Sequence, residues 1–399
     1  MRQSKRLDIN SSLPIPDPSA RSHSEKLTTY IKNLIDEQAG AIGFDEYMNT
    51  ALYQPGLGYY SAGCQKFGSD GDFVTAPEVS KLFSKCLASQ CSQILNDFEE
   101  SAILEIGAGT GVMARDLLLD LEQCNSLPDK YYIFEISADL KQKQQKLLKQ
   151  SIPKYIDHII WLDTLPKRKI KGLIIANEVL DALPVKRFKK ESNLFKEVKV
   201  TFSNNKFCWI NTTAEPELVD SLMKLEKQLP TSFPNNYYSE KNINLKIWLD
   251  SVQSVIEEGV ILFIDYGYSA SDYYHPNKPD GNLLCHYRHN VHNDPFFYPG
   301  LQDITSSVDF TAVALYAEEL GLHVKGYSNQ TYFLFGCGLE DLIPDMNSLD
   351  IKSQAMIAQQ LRMLTMPDEM GERFKVIALV KKYNKKLLGF SIMNQINQL

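Results

Sequence analysis

The sequence has no apolar run approaching the roughly 20 residues that a helix needs to cross a bilayer, so no membrane insertion is expected. Its seven cysteines, Cys64, Cys86, Cys91, Cys124, Cys208, Cys285 and Cys337, are odd in number and scattered, with no CxxC pair and no Cys/His cluster at zinc spacing. That pattern argues against a disulfide framework and against a structural metal, and it fits a reducing compartment. Cys86 and Cys91 fall in a helical pattern, where buried free thiols are expected rather than a redox pair. Positive charge is also short: 42 Lys and Arg stand against 49 Asp and Glu, for a net charge of −7 over 399 residues. A nucleic-acid binder that relies on a broad basic face is therefore not expected. The N-terminal stretch "MRQSKRLDINSSLPIPDPSARSHS" lacks the apolar core of a secretory signal, and its prolines and acids spoil an Arg-rich transit helix. It reads as a flexible lead-in to a cytoplasmic protein, with the mitochondrial matrix as the alternative.

Two nucleotide signatures are missing as well. The stretch "ILEIGAGTGV", Ile103 to Val112, places Gly107, Gly109 and Gly111 directly behind an apolar run, yet no Gly-Lys-Ser/Thr follows Gly111 as a phosphate-binding Walker loop requires. The third glycine of a dinucleotide GxGxxG is replaced by Val112. What remains is a buried strand, a tight glycine turn and an amphipathic helix "VMARDLLLDLEQ", a unit that lets a ligand approach the backbone closely. Glu105, two residues before Gly107, would repel a pyrophosphate. It suits S-adenosylmethionine, which carries an α-ammonium, a sulfonium and no phosphate. Glu135, at the end of the next apolar run "YYIFEIS", is placed to accept hydrogen bonds from ribose hydroxyls, a feature common to NAD and the methyl donor. Asp163 in "WLDTL" is either an acceptor for the adenine amino group or a loop-capping aspartate.

Five strand candidates, "AILEIG", "YYIFEIS", "HIIWLD", "GLIIANE" and "GVILFIDYG", alternate with helical patterns and predict an α/β fold with a mostly parallel, doubly wound sheet. The late segments "HVKGYS" and "FKVIALVKK" are expected to pair antiparallel at the sheet edge. The rhythm breaks between Arg187 and Ile247, where "LFKEVKVTFSNNKFCWINTT" has an Asn-Asn turn between two β-rich runs. The expected organisation is a flexible segment over 1–23, a helical cap with a cofactor-covering loop over 24–100, core over 101–186, an inserted α+β lobe over 187–247, core again over 248–385, and a tail over 386–399.

The strings "GDFVTAPEVS", "LEIGAGTG", "ANEVLDALPVKRF", "DYG", "PGLQDITSSVDF" and "MGERFKVIALVKK" resemble the class I S-adenosylmethionine-dependent methyltransferases of the MidA type, a family that includes a mitochondrial complex I assembly factor acting as a protein arginine methyltransferase. The resemblance runs from about Ser24 to Lys382. It implies a Rossmann-like core, with the cofactor across the glycine loop and under "GDFVTAPE", and an inserted lobe that helps form the substrate cleft. The product would be S-adenosyl-L-homocysteine, and the substrate a core subunit of respiratory complex I. One departure is "GNLLCHYRHN", where Leu284 and Cys285 stand in a stretch that is often basic in the family.

Methyl transfer to arginine needs carboxylates that orient a guanidinium and help its proton depart, because that group's pKa exceeds about 12. Asn177, Glu178 and Asp181 of "ANEVLDALP" follow the fourth strand, at the carboxyl edge where open α/β sheets bind ligands. Asn177 is assigned to the cofactor. Glu178 is the first candidate to grip the guanidinium, or else a helix-capping acid. Asp181 either joins it or belongs to the turn before Leu183-Pro184, and Asp265 either lines the cleft or bonds its own loop. His289, near His286, is a candidate proton relay or a surface histidine. Asp72 and Thr75 are expected to cap a helix start whose N–H groups face the donor's carboxylate, with Phe73 covering apolar surface. A non-catalytic assembly chaperone, a nicotinamide oxidoreductase and a small-molecule methyltransferase are the competing readings. The "NPPY" tetrapeptide of base and glutamine methylation is absent.

Overall fold

The computed structural model describes residues 13–61 and 74–399, which divide into two units, residues 13–61, 182–244 and 274–307 in the first, residues 74–181, 245–273 and 308–399 in the second.

The second unit is built on one eight-stranded sheet. Its strands are β1 (Ala102–Ile106), β2 (Lys130–Phe134), β3 (Ile159–Leu162), β4 (Ile170–Asn177), β5 (Ile256–Tyr268), β6 (Val308–Asp309), β7 (His323–Asn329) and β8 (Phe374–Lys381). The order is β7-β8-β5-β4-β1-β2-β3, with β6 paired to the end of β5. Neighbours from β5 through β3 run parallel. β8 is antiparallel to both β5 and β7. The sequence anticipates this arrangement, since β1, β4 and β5 are buried along nearly their whole length and so read as continuous apolar runs.

Helices α1 (Ala76–Val79), α2 (Lys81–Leu95), α3 (Val112–Gln123) and α4 (Ala138–Ser151) belong to this unit. Ser80 starts α2 by accepting the Leu82 N–H on its hydroxyl, and the helix buries Phe83, Cys86, Leu87 and Cys91. These join Leu117, Tyr131, Ile175 and Leu262 in one apolar cluster. That burial explains why α2, expected in the N-terminal cap, lies in the core unit, where both cysteines are buried free thiols. The expected C-terminal tail also contributes, through Leu387 and Phe390 of the same cluster.

The first unit holds the helices Pro18–Glu37 and Phe44–Tyr53. The lead-in thus ends earlier than expected, at Asp17, whose carboxylate caps the first helix through the Ala20 N–H. An antiparallel four-stranded sheet runs in the order Lys206–Thr213, Leu194–Ser203, Lys186–Glu191, Tyr237–Lys241. Asn204 and Asn205 turn its hairpin with φ of 50° and 59°, the left-handed pair that a two-residue hairpin demands. A three-stranded sheet spans residues 283–306. Leu283, Cys285 and Ile304 from it join Leu27, Ile31, Phe44, Tyr47 and Val200 in one apolar cluster. Segment 274–307, expected in the core, is drawn into this unit by that burial. Among the described residues no helix is long and apolar enough to cross a membrane, and no group of His, Cys, Asp and Glu has metal-binding geometry.

Candidate active site

The site begins where β1 ends. Gly107, Gly109 and Gly111 have φ of 70°, 53° and 85°, a left-handed path that L side chains rarely follow. Space is equally restrictive: a Cβ at Gly107 would stand 2.9 Å from Val179 Cγ2, and one at Gly111 would stand 3.2 Å from Gln144 Cγ. The loop is bare backbone at its three glycines and opens into the first turn of α3. Thr110 within it donates its hydroxyl to Glu78 Oε1 at 3.0 Å, tying the loop to α1.

Glu105 is buried in β1, and its Oε2 accepts the Tyr131 hydroxyl at 2.6 Å. Burial pushes its carboxyl up to about 7, against the pull of the Tyr131 hydrogen bond. Its Oε1 has no hydrogen-bond partner among the described residues, a buried acceptor left for a donor. Glu135, just past β2, accepts the Ser137 N–H at 2.9 Å and Gln144 Nε2 at 3.0 Å. Asp163 lies past β3 with 89% of its side chain exposed, against Lys141 Nζ at 2.6 Å. In the structure it is an exposed ion-pair partner of Lys141.

Past β4 the chain turns sharply. Glu178 takes φ of 54°, a strained conformation for a residue with a side chain, and its N–H is held by the Ile264 carbonyl at 2.8 Å. Asn177 Nδ2 donates to Glu178 Oε1 at 3.1 Å, while Asn177 Oδ1 is buried with no partner among the described residues. The Ala76 N–H, at the start of α1, also donates to the Glu178 carboxylate. Burial, then the Asp181 carboxylate beside it, push Glu178 up to about 8. Asp265, near the end of β5, is buried. Oδ2 accepts the N–H groups of Val179, Leu180 and Asp181 at 3.1, 2.9 and 3.2 Å, and Oδ1 accepts its neighbour Tyr266 at 2.9 Å. These bonds are the loop-bonding alternative of the sequence reading, a positioning arrangement. Burial, Asp181 and Glu178 all raise its proton affinity, against those four hydrogen bonds.

Thr75 stands at the cap of α1, but through its carbonyl, which accepts the Glu78 and Val79 N–H groups at 2.9 and 3.0 Å; its side chain makes no cap bond. Asp72 and Phe73 lie outside the described residues. His289 belongs to the first unit, where it is exposed on the turn between the strands Leu283–Tyr287 and Asn290–His292 with φ of 62°. Four contributors escaped the sequence reading: Tyr131, Thr110, Gln144 and Trp161, whose Nε1 donates to Gln144 Oε1 at 3.1 Å. For Gln144 a signal existed, because it occupies the buried stripe Leu140, Gln144, Leu148 of α4.

Residues 86–328 match the profile of the Methyltransf_28 family, described as S-adenosyl-L-methionine-dependent methyltransferase. Among curated relatives, the mitochondrial protein arginine methyltransferase NDUFAF7 of Danio rerio is 26% identical over 381 residues, spanning 86% of this chain and 84% of its own. The Drosophila melanogaster homolog is 26% identical over 374 residues, spanning 85% and 82%. A crystal structure of a Burkholderia thailandensis protein bound to S-adenosyl-homocysteine superposes with a TM-score of 0.90 at 35% identity, covering 97% of this chain and 100% of that one. The glycine turn, crowded against a Cβ at Gly107 and Gly111, and the orphaned Glu105 oxygen fit S-adenosylmethionine, with its cationic amino-acid end. The chain belongs to the Methyltransf_28 family and is an S-adenosylmethionine-dependent methyltransferase.

Proposed function

We propose that this methyltransferase acts on an arginine side chain of a protein. The observation that carries the reading is the carboxyl group of residues beside the glycine loop. Asp181 raises the proton affinity of Glu178, and both raise that of Asp265, so the three carboxyls lie close together near the ends of β4 and β5. A guanidinium brings a positive charge and a planar fork of donors to such a group of carboxyl acceptors. The names of the curated relatives support the same substrate class.

The bound cofactor supplies an activated methyl group on its sulfonium and leaves as S-adenosyl-homocysteine. The residues of the chain then have two tasks, to align one guanidinium nitrogen and to receive its proton as the new N–C bond forms. Glu178 suits both. Its carboxylate is aimed by Asn177 Nδ2 and the Ala76 N–H, and its raised pKa makes it a better proton acceptor than an ordinary glutamate. Asn177 Oδ1 is a further acceptor for a guanidinium N–H. By its MidA-type resemblance the substrate is a core subunit of respiratory complex I, methylated in the cytoplasm of a bacterial-type host or in the mitochondrial matrix.

The test is to incubate the protein with methyl-labelled S-adenosylmethionine and an extract of cells that lack it, then hydrolyse the labelled protein to amino acids. Label in methylarginine is expected. Label in another amino acid, or in small molecules only, refutes the reading.

A further inference from the structure

The buried stripe of α4 carries an amide where a leucine would fill the space. Gln144 is fully buried, and all of its hydrogen-bonding capacity but one acceptor site is spent on three different strand ends. Nε2 donates to the Gly109 carbonyl at 2.9 Å and to Glu135 Oε2 at 3.0 Å, while Oε1 accepts Trp161 Nε1 at 3.1 Å. The amide can face only one way. Turned over, its oxygen would meet two acceptors and its NH₂ would meet the indole N–H. The Gln144 Cα and Cγ also stand 3.3 and 3.2 Å from the place a Gly111 Cβ would take, so the same residue backs the glycine turn.

Burying an amide is unfavourable unless its partners are satisfied, and a satisfied buried network fixes one arrangement of the groups it joins. Here those groups are the glycine loop after β1, the carboxylate after β2 and the indole of β3. We propose that Gln144 is a positioning residue of the methyl-donor site, holding the Glu135 carboxylate and the Gly109 peptide in the relative placement that the cofactor's ribose requires. The inference rests on Glu135 as the ribose acceptor and is independent of which substrate receives the methyl.

Gln144→Met keeps length and volume and removes the hydrogen bonds, so it separates positioning from packing. The affinity for S-adenosyl-homocysteine is measured by calorimetry on the full chain for the wild type, Gln144→Met, Glu135→Ala and the double variant. No methyl acceptor is needed, so the outcome does not depend on the arginine reading. Gln144→Met is expected to weaken binding on the order of tenfold, the scale of a lost hydrogen bond to a charged group. The loss should shrink to less than about threefold in the Glu135→Ala background, because the two residues act together. Wild-type affinity in Gln144→Met, or an equal loss in both backgrounds, overturns the proposal, as does wild-type affinity in Glu135→Ala. Should Gln144→Met unfold, Gln144→Asn, which keeps the amide on a shorter stem, is measured in its place under the same criteria.

Discussion

Asp265 Oδ2 accepts the Leu180 N–H at 2.9 Å, across 85 residues of sequence. With the Val179 and Asp181 N–H groups on the same oxygen, this contact makes the turn after β4 a fixed structure rather than a mobile loop. Glu178 keeps its left-handed φ of 54° because the turn that follows it is held from the next strand.

Asp265→Ala leaves three N–H groups of the turn without their acceptor. A loss of about 3 kcal/mol in unfolding free energy is expected, the cost of orphaning buried donors. Denaturant unfolding of the cofactor-free protein measures it. Asp265→Asn should be milder in stability, since one oxygen remains, yet should still lower the transfer rate by displacing Glu178. A transfer rate equal to the wild type in both variants would contradict a positioning role.

The buried carboxyls set a pH dependence. Glu105 and Glu178 are raised to about 7 and about 8 from an ordinary 4.5, so between those values the folded protein binds more protons than the unfolded chain. The stability these two groups contribute is therefore lost as pH rises from about 4.5 to about 8. Above about pH 6.5, where the lowered His286 and His292 no longer oppose the trend, the melting temperature of the cofactor-free protein should fall towards pH 8, and the fall should be shallower in Glu105→Gln and Glu178→Gln. Parallel curves for the wild type and both variants would exclude the shift.

Gly107→Ala adds a methyl group 2.9 Å from Val179 Cγ2 at φ of 70°. The backbone conformation costs about 1–2 kcal/mol for an L residue. The cofactor should suffer more than the fold: affinity for S-adenosyl-homocysteine should drop tenfold or more in titration calorimetry. Unchanged affinity would mean that the cradle does not meet the ligand.

The fold was legible where burial is continuous. β1, β4 and β5 are apolar on both faces, so sequence alone marks them as parallel core strands, and the glycines after β1 mark the ligand loop. Residues past strand ends were harder. Glu135 and Asp163 follow consecutive strands in similar contexts, yet one is buried between Ser137 and Gln144 and the other faces solvent against Lys141. Strand position does not tell which way the following side chain turns. Asp265 was ambiguous because its partners lie in a distant segment, and Gln144 was hidden by the surrounding run "KQKQQKLLKQ", in which charge and amides mask the buried stripe. The unit boundaries depend on which apolar faces meet, a long-range property that composition along the chain does not encode.

The most direct test of the account compares the wild type with Glu178→Gln in two assays, calorimetric binding of S-adenosyl-homocysteine and transfer of labelled methyl to protein arginine in an extract from cells lacking the protein. The account predicts affinities within about threefold of each other and a transfer rate at least 100-fold lower in the variant, on the order of the 10²–10⁴ typical of a lost acid–base group. Wild-type transfer by Glu178→Gln would contradict the assignment of the carboxyl cluster as the guanidinium site.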